Sequence, residues 1–431
     1  MGTISGNTAV RAYESKALAS GGVIDASEAK ELVKLAKAKG EDVQNIRQML
    51  ASDSFEPAAR KIVENGLGIR NAPAPSIAGA KVGDATVTRT LGDPSGYADR
   101  YQAYAAARMS GADNAAVIMD KSGKWRAVQL DKQIPTEART PSADVPWAAG
   151  LVPEDPKKIE ALRGKIQGLL DRQREGERID GAELGSLRKQ LASQVFGVPE
   201  SEINIMRSSN DRKAGFLNLN TALASDAEAR GRLGPERSPD GAFNPRKDPA
   251  VEIDASEIEG SYKRGKGWSN TPVDSSRAVF FHEATHEAVY MTTQKYVAEW
   301  EAKGNHFTES GGEDLGFRNW MMNRKDVDWA TRLTVINTAS SNFADTETRA
   351  HFGAFRAAIA AGSPEAAKDQ LMTFARYKAS APQQVTDAEL AECERLYKTL
   401  PKDMQKAFDD AFAAAKAVNP HWNGASFRHG R

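Results

Sequence analysis

The sequence has almost no cysteine, since Cys393 is the only one among 431 residues. A single cysteine cannot form an internal disulfide, and it cannot supply a structural zinc site that needs several thiolates. A disulfide framework and a thiolate zinc cluster are therefore both excluded. The fold has to be held together by side-chain packing.

Long hydrophobic runs and an excess of one charge are missing as well. The first twenty residues lack the apolar core of a secretory signal, and no later segment approaches the length of a membrane span. Basic and acidic residues both number 58, without a strongly basic block that would follow a phosphate backbone. We expect a soluble chain without a membrane span or a nucleic-acid partner. It is either cytoplasmic or secreted by a route that needs no cleavable signal peptide.

The length and the distribution of turn-forming residues predict several units along the chain. Ser27 is the expected N-cap of the first helix, and a stretch rich in alanine, proline and glycine follows the first helical module. The expected units are a helical N-terminal module (1–70), a linker (71–95), a helix with a β-hairpin around Lys121–Lys124 (96–135), a second linker (136–155), a large mainly helical domain (156–418) and a polar tail (419–431).

One segment of the large domain combines metal-ligand residues with helical spacing. It reads His-Glu-Ala-Thr-His from His282 to His286, and it is preceded by a helix start signal at Asp274 or Ser275. The spacing of four residues places both histidines on one face of a helix, so that two imidazole nitrogens can bind one ion. Glu283 lies about 100° around the same turn, where it can reach a water molecule without binding the ion. These residues predict a zinc-dependent hydrolase with Glu283 as general base.

The motif resembles the signature of the zincin metallopeptidases, a His-Glu-x-x-His helix. The resemblance implies that His282 and His286 bind Zn²⁺ and that Glu283 is catalytic. It also implies an α+β fold, mainly helical, in which a small sheet lies beside the motif helix. Short candidate strands at 202–206, 215–220 and 250–254 come just before that helix. The long signature with a third histidine does not apply, because Val289 and Thr292 replace its glycine and histidine.

The third ligand is expected from the segment between Asn342 and Arg356. If this segment is helical, Glu347 lies on an apolar face, where a carboxylate needs a charged partner or a cation. The arrangement is similar to that of the glutamate zincins, which implies that Glu347 binds the metal and that Asp345 supports a histidine. His351 has two alternative roles: it is a rival ligand, or it donates a hydrogen bond to the oxyanion that forms during hydrolysis.

Three functions are consistent with these residues. The first is a zinc metalloendopeptidase that hydrolyses peptide bonds of a protein or peptide substrate. Its N-terminal region would serve delivery, inhibition or partner binding, as in bacterial effector or toxin peptidases whose layout the chain resembles. The second is a zinc hydrolase of non-peptide amide or ester bonds. The third is a helical interaction protein with a structural metal site.

Overall fold

The structure of the chain is a computed structural model with a mixed helix and strand architecture, consistent with the predicted α+β class. It describes residues 25–39, 57–68, 77–93, 96–137, 144–207, 215–219, 251–307, 314–324, 329–340, 343–360 and single positions or short stretches elsewhere up to residue 410. Residues 42–52 of the expected helical N-terminal module and the tail 419–431 lie outside the described residues.

Ten α-helices are present in the described part of the chain. They are α1 (Ala26–Lys39), α2 (Pro57–Leu67), α3 (Arg100–Met109), α4 (Pro156–Arg174), α5 (Gly181–Phe196), α6 (Ser256–Glu259), α7 (Val273–Glu301), α8 (Leu315–Met322), α9 (Trp329–Ala339) and α10 (Phe343–Ala360). None of these described helices combines the length and the apolar character that crossing a membrane requires.

The strands of the described residues form three antiparallel groups. A five-stranded sheet has the order β1 (Lys81–Val82), β2 (Ala85–Leu91), β4 (Trp125–Leu130), β3 (Ala115–Met119) and β5 (Trp147–Gly150). A three-stranded sheet contains β6 (Ile203–Arg207), β7 (Gly215–Leu219) and β8 (Val251–Asp254), and a hairpin contains β9 (Ser261–Lys263) and β10 (Gly267–Ser269).

Several expected elements are confirmed and two expected linkers are corrected. The β3–β4 hairpin and the three strands before the motif helix form as predicted. Strand β2 lies within the first predicted linker and β5 within the second. Strand β2 buries Ala85, Val87 and Leu91, and β5 buries three of its four residues. Burial of these side chains on a sheet favours strand formation more than the surrounding alanine and proline residues oppose it. The division of the chain into separately folding units stays a prediction.

Two helix starts differ from the sequence expectation. Asp25, rather than Ser27, caps α1, because its side chain accepts the backbone N–H of Ser27 at 2.7 Å and of Glu28 at 2.8 Å. The motif helix α7 starts at Val273 after Pro272, without a side-chain cap. Asp274 instead forms an ion pair of 3.1 Å with Arg277, one turn along the helix.

Helix α7 passes through two hydrophobic clusters. Its first half buries Phe280 in a cluster with α3, α5 and α10, where the rings of Phe196 and Phe280 lie 4.4 Å apart. Its second half buries Tyr296 and Val297 in another cluster with α8 and α9. Each fully buried aromatic ring of this kind contributes about 1.5–3 kcal/mol to folding by leaving water. The motif is therefore carried by a helix that is fixed along its length.

A buried ion pair holds the segment just before α7. Arg188 on α5 donates to both carboxylate oxygens of Glu259 on α6, at 2.9 and 2.8 Å. The two side chains are only 7% and 5% exposed. Because charges this deeply buried require each other, the pair fixes the position of α6 and of the chain that leads into the motif helix.

Candidate metal centre

The structure brings three predicted ligands together from two helices. His282 and His286 on α7 present their Nε2 atoms 3.0 Å apart. Glu347 on α10 lies opposite, with Oε2 3.2 Å from His282 Nε2 and Oε1 3.3 Å from His286 Nε2. One ligand atom from each of these residues lies within 4.8 Å of the other two. Two nitrogens and one oxygen in this arrangement are a suitable donor set for a metal ion.

Burial and charge set the protonation of this group. Burial lowers the pKa of His282, against the hydrogen bond to the Glu347 carboxylate, which favours the charged ring. A neutral imidazole is the form that binds a metal. Burial acts to raise the pKa of Glu347, but hydrogen bonds from His282 and His286 outweigh it and hold that pKa well below its usual range. Glu347 is therefore a carboxylate, which is the form that a cation needs.

The other ring nitrogen of His282 has an unusual environment. His282 Nδ1 is buried, and it has no hydrogen-bond partner within the part of the chain that the structure describes. Metal-binding histidines in proteins usually donate this second N–H to a carboxylate or a carbonyl. Asp345 was expected to provide such support, but its side chain lies outside the described residues.

Glu283 lies beside the three ligands without joining them. Its Oε1 is 3.9 Å from His282 Nε2, and its side chain is partly exposed. This separation from His282 is too long for a direct hydrogen bond, but a water molecule can bridge it. The role of general base expected of Glu283 from the sequence stays a prediction.

His351 also lies at the edge of the ligand group. It follows Glu347 by one turn of α10, and its ring centroid is 4.1 Å from that of His282. Burial is the largest cause that lowers the pKa of His351 to about 4, against the opposing hydrogen bond with Gln370. His351 is therefore neutral at physiological pH. Its Nδ1 lies 2.9 Å from Oε1 of Gln370, which packs against α10.

Close packing of α10 against α7 produces this geometry. Gly353 faces the motif helix, and a Cβ atom at this position would lie 3.5 Å from Phe281 Cε1 and from Thr285 Oγ1. Thr285 also accepts a hydrogen bond of 3.1 Å from Gln102 on α3. The apolar stripe predicted for α10 is present, with Ala350, Ala354 and Phe355 buried. Two neighbouring helices therefore hold the turn that carries the histidines.

Two buried acids lie next to the motif on the side of α3. Glu287 is 2% exposed and lies next to Asp99. Burial and the nearby Asp99 raise its pKa well above the usual range. Burial likewise raises the pKa of Asp99 to about 6, although backbone N–H groups of Tyr101 and Gln102 hydrogen bond to it. These acids do not belong to the ligand group.

All five residues that the sequence predicted for the site lie together: His282, Glu283, His286, Glu347 and His351. Their chemical roles stay predictions. Sequence reasoning did not identify Gln370, because no motif connects it to His351. It did not identify Asp99 as a buried acid either, although Asp99 and Gln102 have the spacing of a capping box, which the structure contains.

Comparison with family models, with curated proteins and with solved structures found no match. The function is therefore inferred from the residues of the site alone.

Proposed function

We propose that this protein is a zinc-dependent metalloendopeptidase. The observation that carries the proposal is the convergence of Glu347, from α10, on the two histidines of the His-Glu-Ala-Thr-His turn of α7. An accidental motif on an ordinary helix gives no reason for a partly buried carboxylate far along the chain to face both histidines. The resemblance to zincins rests on the motif and is supported by this third group.

The residues of the group fit zinc better than magnesium or calcium. Two imidazole nitrogens and one carboxylate oxygen are typical zinc donors, whereas magnesium and calcium prefer oxygen ligands. Three protein ligands are also the number that catalytic zinc sites use. When bound, zinc lowers the pKa of a water molecule and polarises a carbonyl group.

Glu283 would carry out the proton transfers of hydrolysis. Its carboxylate accepts a proton from the attacking water while the water oxygen forms a bond with the carbonyl carbon of the substrate. The same carboxyl group then gives that proton to the leaving nitrogen as the carbon–nitrogen bond breaks. Glu283 is suited to both steps because it lies next to His282 and is reachable from solvent.

The proposal is tested first by metal content and then by cleavage. We expect one zinc ion per chain by elemental mass spectrometry, and we expect His282→Ala to lose it. A peptide library is then incubated with the full-length protein, and new termini are identified by mass spectrometry. Glu283→Gln should keep its zinc and lose about 10²–10⁴-fold in cleavage rate.

Glu301→Gln is the matched control, because it makes the same change at the other end of α7. This variant should cleave like the wild type. Full turnover by Glu283→Gln would contradict the mechanism, and a folded protein that binds no zinc would contradict the metal site. Release of new carboxylates only from non-peptide amides or esters would assign the site to another hydrolase class.

A further inference from the structure

The contact between His351 and Gln370 determines which ring nitrogen carries the hydrogen. Gln370 is 5% exposed, and its side-chain oxygen lies 2.9 Å from His351 Nδ1. An amide oxygen has only lone pairs and must accept. The hydrogen of this contact therefore belongs to His351 Nδ1. In a neutral imidazole with its hydrogen on Nδ1, the other nitrogen, Nε2, is an acceptor.

His351 Nε2 faces the ligand group from a short distance. It lies 3.8 Å from Glu347 Oε2, which is too far for a direct hydrogen bond. His351 does not belong to the group of three residues whose ligand atoms lie within 4.8 Å of one another. Glu283 and His351 thus each present an acceptor beside a predicted ligand, at separations that a water molecule to one side of the pair can bridge.

We propose that His351, held by Gln370, accepts a hydrogen bond from the second hydrogen of the attacking water. A water molecule that attacks a carbonyl carbon loses one hydrogen to the general base and keeps the other. An acceptor for the remaining hydrogen orients the oxygen lone pair toward the carbonyl carbon. His351 is then an acceptor and not the oxyanion donor that the sequence suggested. This inference rests on the proposed hydrolase, in which Glu283 accepts the first hydrogen.

The position of the hydrogen is tested without metal and without activity. Full-length protein labelled with ¹⁵N-histidine is freed of metal, and long-range ¹H–¹⁵N correlation spectra separate protonated from unprotonated ring nitrogens. His351→Asn assigns the signals. We expect His351 to carry its hydrogen on Nδ1 at neutral pH. A hydrogen on Nε2, with Nδ1 unprotonated, would overturn the proposal whatever the protein cleaves.

Variants of Gln370 test the positioning role. Gln370→Glu keeps an acceptor for Nδ1–H and should retain the wild-type tautomer. Gln370→Leu removes the acceptor, so we expect signals of both tautomers and a kcat lowered roughly tenfold at unchanged KM, the lower end of the loss seen for residues that orient metal-binding imidazoles. Zinc content should stay at the wild-type level in both variants and in His351→Asn.

The remaining outcomes separate this inference from the proposed function. Loss of zinc from His351→Asn, as severe as from Glu347→Ala, would make His351 a ligand and overturn its acceptor role. A Gln370→Leu variant with an unmixed wild-type tautomer would overturn the role of Gln370. Absence of turnover in the wild type would count against the proposed peptidase, while the spectra would still decide the hydrogen position on His351.

Discussion

Glu347 faces both motif histidines at once, with one carboxylate oxygen toward each ring. His282 is nearly buried and neutral, whereas Glu347 is partly exposed and ionised. A neutral ring does not neutralise the charge of a carboxylate as a cationic ring would in an ion pair. Both groups are, however, suitable ligands for a cation. At the scale of single residues, the group is therefore better matched to a bound ion than to a structural salt bridge.

Glu347→Ala should release the metal, because it removes the only oxygen donor of the three-residue group. We expect an affinity loss greater than the ~10–100-fold typical of losing a residue that only supports a ligand. Isothermal titration of metal-free protein with zinc measures it. Asp345→Ala is the comparison on the same helix, and it should weaken binding far less. Equal zinc affinity in the two variants would place the third ligand elsewhere.

Asp99 should make the fold less stable as the pH rises. Its pKa is about 6 in the folded protein against 3.8 for a solvated aspartate, mainly because it is buried. Below pH 4 Asp99 is protonated in both the folded and the unfolded protein, so it does not reduce the free energy of unfolding. As the pH rises from 4 to 6, Asp99 ionises more readily in the unfolded protein, and the free energy of unfolding falls. Above pH 6 the loss is complete and reaches about 3 kcal/mol.

Asp99→Asn should therefore raise the free energy of unfolding at pH 7 and flatten its pH dependence between 4 and 6. Asparagine caps helices as well as aspartate does, so the start of α3 is kept. Urea denaturation at several pH values measures the effect. The exposed Asp113→Asn serves as the control and should leave the pH profile unchanged. If Asp99→Asn kept the wild-type pH dependence of the free energy of unfolding, the raised pKa of Asp99 would be refuted as its cause.

At the scale of elements, the site depends on how closely α10 approaches α7. Gly353 lies inside α10, where glycine costs about 1 kcal/mol relative to alanine. A Cβ atom there would make ordinary contacts of 3.5 Å with Phe281 and Thr285. We expect Gly353→Ala to stabilise the protein by about 0.5–1 kcal/mol in thermal unfolding without loss of zinc.

Two further variants define the limits of this prediction. Gly164→Ala on α4 meets no atom of the described residues within 4 Å and should give a similar gain. Gly353→Ile adds volume that the contact cannot hold, so it should destabilise the protein by about 1–3 kcal/mol and weaken zinc binding by moving Glu347. Zinc affinity unchanged in Gly353→Ile would show that the α7–α10 distance does not control the site.

The elements that the sequence predicted are those specified by local pattern. The motif helix, the β3–β4 hairpin and the three strands before α7 each have a periodicity or turn signal within their own residues. Strands β2 and β5 both lie in alanine- and proline-rich surroundings, and β5 has only four residues, so their pairing partners define them. The contacts of Gln370 with His351 and of Arg188 with Glu259 depend on packing between distant segments. No local signal encodes them.

At the scale of the whole molecule, a buried ion pair ties α5 to the chain before the motif helix. Glu259→Gln should cost about 3–5 kcal/mol, because Arg188 would keep its charge without a buried counter-charge. Chemical denaturation measures the loss. The exposed pair Arg172–Glu177, at 2.7 Å, is the control, and Glu177→Gln should cost less than about 1 kcal/mol. Equal costs would show that burial does not determine the strength of the pair.

Helix α7 is packed in two hydrophobic clusters, so opening of the helix is coupled to loss of packing in both. Backbone amides of α7 exchange hydrogen with solvent only when the helix opens, and opening either half removes packing from one cluster. The turn that carries His282 and His286 lies in the first cluster, away from both ends of the helix, where fraying begins. Exchange at this turn therefore waits for the opening of a large region. The turn that holds the two histidines at their spacing should therefore open more rarely than the ends of the helix.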